Sequence, residues 1–301
     1  MNETRHASVR DNVDLAPLTT YKLGGAAAWF ADVEDRDSLR EVLGSAGDVE
    51  LLVLGRGSNL VVSDHGFPGL VLRLVGEFLV ATINEDGSVS AGAGMPLPRL
   101  ARFATEYDRG GLEFFVGIPG SVGGAIRMNA GGHGSDTATW LLDATILDRS
   151  TLTERSDNPA DLELAYRHSN LGDADVVVAA RFRTIEQAQS RGEQILRDVT
   201  RWRKQHQPGG TLNAGSVFKN PHGDAAGRII DSLGLKGYRR GGVAVSDVHA
   251  NFFVSEEGAT AQDVWDLVWA IRSRVGERTG VWLEPELRFV GRFEGRPEVH
   301  S

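Results

Sequence analysis

Glycine most limits what this chain can become: 37 of its 301 residues are glycine, and they gather in clusters instead of scattering. Such clusters mark backbone that must turn with positive φ or approach another group closely. Two stand in the first half. One, Gly55-Arg56-Gly57-Ser58-Asn59, follows the short apolar run at 51–54 and precedes a second apolar run beginning at Leu60. The other, Gly117-Ile118-Pro119-Gly120-Ser121-Val122-Gly123-Gly124, is prolonged by Asn129-Ala130-Gly131-Gly132. Glycine-rich turns can cradle phosphate, because unhindered backbone N–H groups converge where no side chain blocks approach. A single cluster is ordinarily a tight structural turn; two in one half of a chain point to a cofactor bearing a pyrophosphate. A Rossmann fold is disfavoured. GxGxxG must open a helix, whereas the first cluster runs into another strand-like segment, and Gly92-Ala93-Gly94 precedes a helix but lacks the third glycine. The lysine-bearing P-loop pattern is absent as well.

Hydrophobic periodicity supplies the remaining elements. Leu39, Val42, Leu43 and Ala46 form one face of a helix over 37–46, with Asp35 or Asp37 as its cap. Strands are expected at 51–54, 70–75, 78–83 and 88–94, the last two joined by a hairpin turn at Glu85-Asp86-Gly87. A helix follows Pro96, with Leu97, Leu100, Ala101 and Ala104 on one face, and further strands are expected at 141–147 and 176–182. The polar stretch 186–206 carries a stripe of Ile195, Leu196, Val199 and Trp202, a long amphipathic helix suited to linking two domains. Beyond it come a loop containing Asn213 to Pro221, a helix over 224–233, a strand over 251–254 and a last helix. That helix has the stripe Val264, Leu267, Val268, Ile271 and Val275, opened by a capping box of Thr260 and Asp263. A final strand is expected over 281–290, and residues 1–16 read as a polar tail.

Composition excludes several functions. A net charge of −9 argues against nucleic acid as the partner, since phosphate neutralisation needs a basic face. With no cysteine, disulfides, thiolate metal sites and cysteine nucleophiles are ruled out, and the chain suits a reducing cytosol. No window reaches the roughly 20 apolar residues that span a bilayer, and the first residues lack the apolar segment of a secretory signal. A cytoplasmic protein without a membrane partner is expected. His168, His206, His222 and His249 show no ligand spacing, so no metal site is expected.

Three polar positions stand out. Ser216 follows the small residues Ala214 and Gly215, which leave its hydroxyl uncovered, with Lys219 and Asn220 close behind; its bland alternative is a loop serine bonded to its own backbone. No adjacent His-Asp arrangement makes it a hydrolase nucleophile. Arg167, beside Tyr166, is either a fixed cation for a carboxylate or an exposed or helix-packing arginine. Glu284 and Glu286 share one face of the final strand; a glutamate facing a pocket would have a shifted pKa and serve as an acid, and one facing water would not.

In order along the chain, Tyr21-Lys22-Leu23-Gly24, LGRGSNLVVSD, GIPGSVGGAIRMNAGG, AYRHS, NAGSVFKNP, HANFFVS and LEPELRF resemble the UDP-N-acetylenolpyruvoylglucosamine reductase family, from about residue 17 to 291. The resemblance implies an α+β protein: an FAD-binding fold of the vanillyl-alcohol oxidase type, made of two α+β subdomains, followed by an α+β substrate-binding domain. On this chain the former would be 17–185, split near 76, and the latter 186–301. It implies non-covalent FAD on Gly55, Arg56, Gly57, Ser58, Asn59 and Leu60, and on Gly117, Pro119, Gly120, Ser121, Gly123, Gly124, Asn129, Ala130 and Gly131. NADPH would be the reductant and an enolpyruvyl nucleotide sugar the substrate. Arg167 matches the family's catalytic arginine, Ser216 its proton donor and Glu286 its catalytic glutamate, with Tyr166, Lys219 and Asn220 toward the nucleotide sugar. Arg56 stands where the family more often has glycine. The chain is also too compact over 241–255 for a tyrosine-bearing substrate loop, which matches the shorter subclass. The rival is a flavin oxidase of an alcohol or sugar on the same fold, for which His133 is the nearest candidate tether.

Overall fold

The computed structural model describes residues 8–295. The described residues form two compact units: one gathers 8–11, 29–56 and 69–203, the other 12–28, 57–68 and 204–295. The stretch 57–68 joins the second unit because Leu60–Val62 pairs in parallel with Arg288–Val290, a partnership that no local pattern reveals.

In the first unit lies most of a four-stranded sheet ordered Val9–Asp14, Ala26–Val33, Phe67–Leu74 and Leu51–Val53. Val9–Asp14 corrects the expectation of a polar tail, of which residues 1–7 lie outside the described residues. It is an edge strand that keeps most side chains in solvent, so ladder bonding rather than burial defines it. Helix Arg36–Ala46 buries the expected face of Leu39, Val42, Leu43 and Ala46. Asp35 is its cap: Ser38 N–H donates to Asp35 Oδ1 at 2.8 Å, and Asp35 N–H donates to Ser38 Oγ at 3.3 Å.

A five-stranded antiparallel sheet completes this unit, ordered Glu154–Asp157, Leu141–Asp148, Asp175–Phe182, Val89–Gly92 and Ala81–Ile83. Helix Leu97–Glu106 buries Leu97, Leu100, Ala101 and Ala104 in the same core, where Phe115 meets Phe182 edge-on at 5.7 Å. The strand expected over 78–83 is shorter. Gly76 takes φ 54° so that Glu77 N–H can donate to Glu34 O at 2.8 Å, which starts a 3₁₀ turn at Gly76–Leu79 and delays the strand to Ala81–Ile83. The linking helix likewise begins at Gln189 instead of 186, because Ile185–Glu186 pairs with Arg109–Gly110. Of its stripe Val199 is buried, whereas Trp202 stays 45% exposed.

The second unit holds a three-stranded sheet of Arg239–Arg240, Val243–Val245 and Phe253–Ser255, with helices Ala226–Ser232 and Ala261–Thr279. Every stripe residue of the longer helix is buried, and the Thr260–Asp263 capping box is formed. A further cap arrives from far back in the chain: Asp64 Oδ1 accepts Ala261 N–H and Asp64 Oδ2 accepts Gln262 N–H, each at 2.9 Å. A carboxylate there satisfies two orphan donors and opposes the positive end of the helix dipole. The strand expected over 281–290 shrinks to Arg288–Val290. Pro285 has no N–H to give a ladder and contributes one isolated bridge, to Phe218.

Tyr21 explains the first of the ordered motifs. Its side chain is fully buried in this unit's core, its hydroxyl donates to Phe253 O at 3.1 Å, and burial pushes the phenol pKa up. Tyr21→Phe leaves that carbonyl without its donor and should cost about 1–3 kcal/mol. Thermal unfolding measures this; an unchanged midpoint would show that the bond adds nothing. No helix among the described residues is long and apolar enough to cross a membrane.

Candidate functional site

Gly55, which with Arg56 belongs to the first unit, meets the second glycine cluster there. A Cβ on Gly55 would fall on Ser121 Oγ, so this position admits only glycine while Ser121 stays in place. Ser121 is buried and caps helix Val122–Arg127, accepting Gly124 N–H at 3.4 Å. Most amides of this second cluster are already used: Gly120 N–H donates to Ile118 O, Val122 N–H to Met95 O and Gly123 N–H to Ala93 O. The first cluster is different. Among the described residues, the N–H groups of Gly55, Arg56, Gly57, Ser58 and Asn59 donate to no protein acceptor. Five such donors in succession, beside the exposed Arg56, suit a pyrophosphate.

Arg167 belongs to a tight turn in which Ala165 and His168 exchange backbone hydrogen bonds at 3.1 and 3.2 Å. Its φ is 54°, a left-handed conformation that costs a non-glycine residue on the order of 1–3 kcal/mol and persists only where neighbours enforce it. They do so here. Arg167 Nη2 donates to Gly131 O at 3.0 Å and Nη1 to Asn129 O at 3.4 Å, while Ser169 Oγ donates to Arg127 O at 2.8 Å. The guanidinium also stands 5.4 Å from the ring centre of the exposed Tyr166. Arg167 is therefore neither a loose surface arginine nor a helix-packing one.

Asn129 takes part in the same structure in an unexpected way. It is 3% exposed, its Nδ2 donates to Ala165 O and its Oδ1 accepts Ala138 N–H, both at 2.9 Å. Its side chain thereby secures the Arg167 turn to the glycine-rich segment. The Ala130 carbonyl is likewise occupied, by Thr137 N–H and Thr137 Oγ1. His133 packs against Gly117 and meets Trp202 edge-on at 5.1 Å; desolvation, helped by the charge of Arg203, lowers its pKa.

In the second unit, Ser216 opens the segment 216–219, which runs between 251–253 and 284–286. Ser216 bridges Phe252 and Phe218 bridges Pro285. Val217 N–H donates to Asn251 O, Glu286 N–H to Val217 O and Lys219 N–H to Glu284 O, at 2.8, 2.8 and 2.9 Å. Ser216 and Glu286 are thus held by one set of backbone bonds. Among the described residues the Ser216 hydroxyl makes no hydrogen bond, so the bland reading of a serine bonded to its own backbone does not hold. Gly215 before it has φ 77° and open space where a side chain would project.

The two neighbouring carboxylates separate. Glu284 is mostly exposed and pairs with Lys219 Nζ at 2.7 Å, whereas Glu286 is half-buried. Asn220 Oδ1 accepts Ala226 N–H at 3.0 Å and so caps helix Ala226–Ser232. Asn59, expected to meet the cofactor, gives its side chain to the protein: Nδ2 donates to Glu286 O at 3.0 Å, and its own carbonyl accepts Arg288 N–H at 3.0 Å. Sequence reasoning missed Asn251 and Asp64 altogether. The only signal for Asn251 is an amide set directly before the apolar run Phe252-Phe253-Val254. Among the described residues no group of three or more His, Cys, Asp or Glu stands together as a metal would require.

Residues 27–152 match the family described as FAD binding domain, and residues 207–290 match UDP-N-acetylenolpyruvoylglucosamine reductase, C-terminal domain. UDP-N-acetylenolpyruvoylglucosamine reductase 2 of Symbiobacterium thermophilum is 45% identical over 277 residues, which cover 91% of this chain and 89% of that protein. The chain belongs to the UDP-N-acetylenolpyruvoylglucosamine reductase family. The family's member from Synechococcus sp. strain RCC307 is 42% identical over 294 residues, 95% of each chain. The crystal structure of the reductase from Thermus caldophilus aligns with a TM-score of 0.82 at 36% identity, covering 94% of this chain and all of that one. The chain is thus an α+β flavoprotein reductase with an FAD-binding domain and the family's C-terminal domain. Both glycine clusters fall in the first match, and Ser216, Asn251 and Glu286 fall in the second.

Proposed function

We propose that this chain converts UDP-N-acetylglucosamine enolpyruvate to UDP-N-acetylmuramate for peptidoglycan synthesis, with NADPH as the electron source. The observation that carries this reading is the seating of Ser216, whose hydroxyl is unbonded among the described residues, on a segment whose backbone also holds Glu286. FAD, when bound, supplies the hydride chemistry that joins NADPH to the enolpyruvyl β-carbon. Its pyrophosphate is assigned to the amides of 55–59, with Arg56 adding charge.

The protein's own groups handle the charge and the proton. Hydride at the β-carbon leaves the substrate with negative charge at the α-carbon, delocalised into its carboxylate. Arg167 meets that charge as a permanent, planar cation, already oriented by the Gly131 and Asn129 carbonyls. Ser216 Oγ delivers a proton to the α-carbon, and Glu286 serves as the hydrogen-bonding or acidic partner. Tyr166, Lys219 and Asn220 are assigned to the nucleotide sugar; Lys219 would exchange Glu284 for a phosphate oxygen. On this reading the enzyme works in the cytoplasm.

Anaerobic absorbance tests the reading. The purified protein should be yellow, bleach with NADPH and regain colour when the enolpyruvyl nucleotide sugar is added. Recolouring by oxygen, with no response to the nucleotide sugar, would replace this function with that of an oxidase. Acid precipitation should also release the colour, because the assignment rests on backbone amides without a covalent tether. Colour retained in the pellet would contradict it.

A further inference from the structure

The segment carrying Ser216 has little ladder of its own. Among the described residues it forms isolated bridges, to Phe252 and Pro285, and three backbone bonds, through Val217 N–H, Val217 O and Lys219 N–H, while just before it Gly215 N–H donates to Asn213 Oδ1 at 3.0 Å. Asn251 makes up the difference. Its Oδ1 accepts Phe218 N–H at 2.9 Å, its Nδ2 donates to Phe218 O at 2.8 Å, and its backbone carbonyl accepts Val217 N–H at 2.8 Å. A carboxamide carries a donor and an acceptor in one plane, so it pairs with a residue's N–H and C=O as a neighbouring strand would. Asn251 is itself fixed: it is 3% exposed, and its N–H donates to His249 Nδ1 at 3.2 Å. Phe218 is anchored too, its ring meeting Phe253 edge-on at 6.0 Å in the core. Three bonds from one side chain and its carbonyl therefore set the register of the two residues that follow Ser216.

We propose that Asn251 is the positioning residue for the Ser216 hydroxyl, acting through its bidentate amide pairing with Phe218; the proposal rests on reading Ser216 as the proton donor. A hydroxyl that must reach one carbon of the substrate is sensitive to small displacements, and misplacement by about 1 Å can cost on the order of a hundredfold in rate.

The test is a double-mutant cycle on the intact flavoprotein, with Asn251→Ala, Ser216→Ala and the pair followed by stopped-flow absorbance. Flavin reduction by NADPH and reoxidation by UDP-N-acetylglucosamine enolpyruvate are measured separately. Asn251→Ala should slow reoxidation on the order of tenfold to a hundredfold and leave flavin reduction within about twofold of wild type. In the Ser216→Ala background the same change should add less than about twofold, because the group it positions is gone. Equal losses in both backgrounds, or equal slowing of both half-reactions, overturns the proposal. If Ser216→Ala alone leaves reoxidation at the wild-type rate, the proton-donor reading fails, and the positioning role falls with it for that separate reason. Should Asn251→Ala not yield folded flavoprotein, Asn251→Asp carries the same cycle, since it keeps the shape and the acceptor for Phe218 N–H while losing the donor to Phe218 O.

Discussion

Ser216→Ala is expected to leave flavin reduction by NADPH near wild type while slowing reoxidation by substrate on the order of a hundredfold to a thousandfold, by analogy with deleting one catalytic donor. The hydroxyl is needed only after hydride reaches the β-carbon, so the half-reaction that precedes it should not register the loss. The fold gives no reason for a wider effect. Among the described residues the hydroxyl bonds to nothing, and the segment is held through backbone groups that alanine retains. Rapid-mixing absorbance of each half-reaction measures the separation. Equal slowing of both would make Ser216 a flavin-positioning or structural residue.

Arg167→Lys should also fail, with substrate-driven reoxidation reduced on the order of a hundredfold and Arg167→Ala at least as slow. Lysine keeps the charge but not the plane. The guanidinium reaches the Gly131 and Asn129 carbonyls through two different nitrogens, so its orientation is settled before substrate arrives. An ammonium on a flexible stem offers a point charge without that orientation. The comparison is clean in backbone terms, because both residues bear the same left-handed strain at φ 54° and that cost cancels. Reoxidation kinetics, with thermal melting to show that the turn survives, test the expectation. A lysine variant near wild-type rate would mean that charge alone suffices.

Helix Ala261–Thr279 was fully legible in the sequence, since a one-sided apolar stripe and a capping box are local signals. The strand expected over 281–290 was not, because Pro285 leaves its residues at mere bridging distance from Phe218 and the continuous ladder waits until Arg288–Val290. Val9–Asp14 escaped because an exposed edge strand buries too little to show alternation. At the site, Ser216 and Arg167 stood out through motif order, but nothing local announced the left-handed turn that holds Arg167. Asparagines were the least legible. Asn59 and Asn129 sit among glycines and are expected at the cofactor; that their amides also secure the Glu286 backbone and the Arg167 turn could not be read locally. A carboxamide offers the same atoms to a cofactor and to a peptide group, and sequence does not say which it meets.

The parallel pairing of Leu60–Val62 with Arg288–Val290 also orders events during synthesis. A chain leaving the ribosome presents the three apolar residues 60–62 early, and their strand partner emerges only after residues 63–287. Asp64 waits in the same way for the helix it caps. Pairings this distant in sequence close slowly, because the loop entropy is lost before the bonds form, and an apolar edge left open meanwhile invites aggregation. The second unit therefore folds late whatever the pace of the first, and a nascent chain halted before residue 288 keeps that edge uncovered.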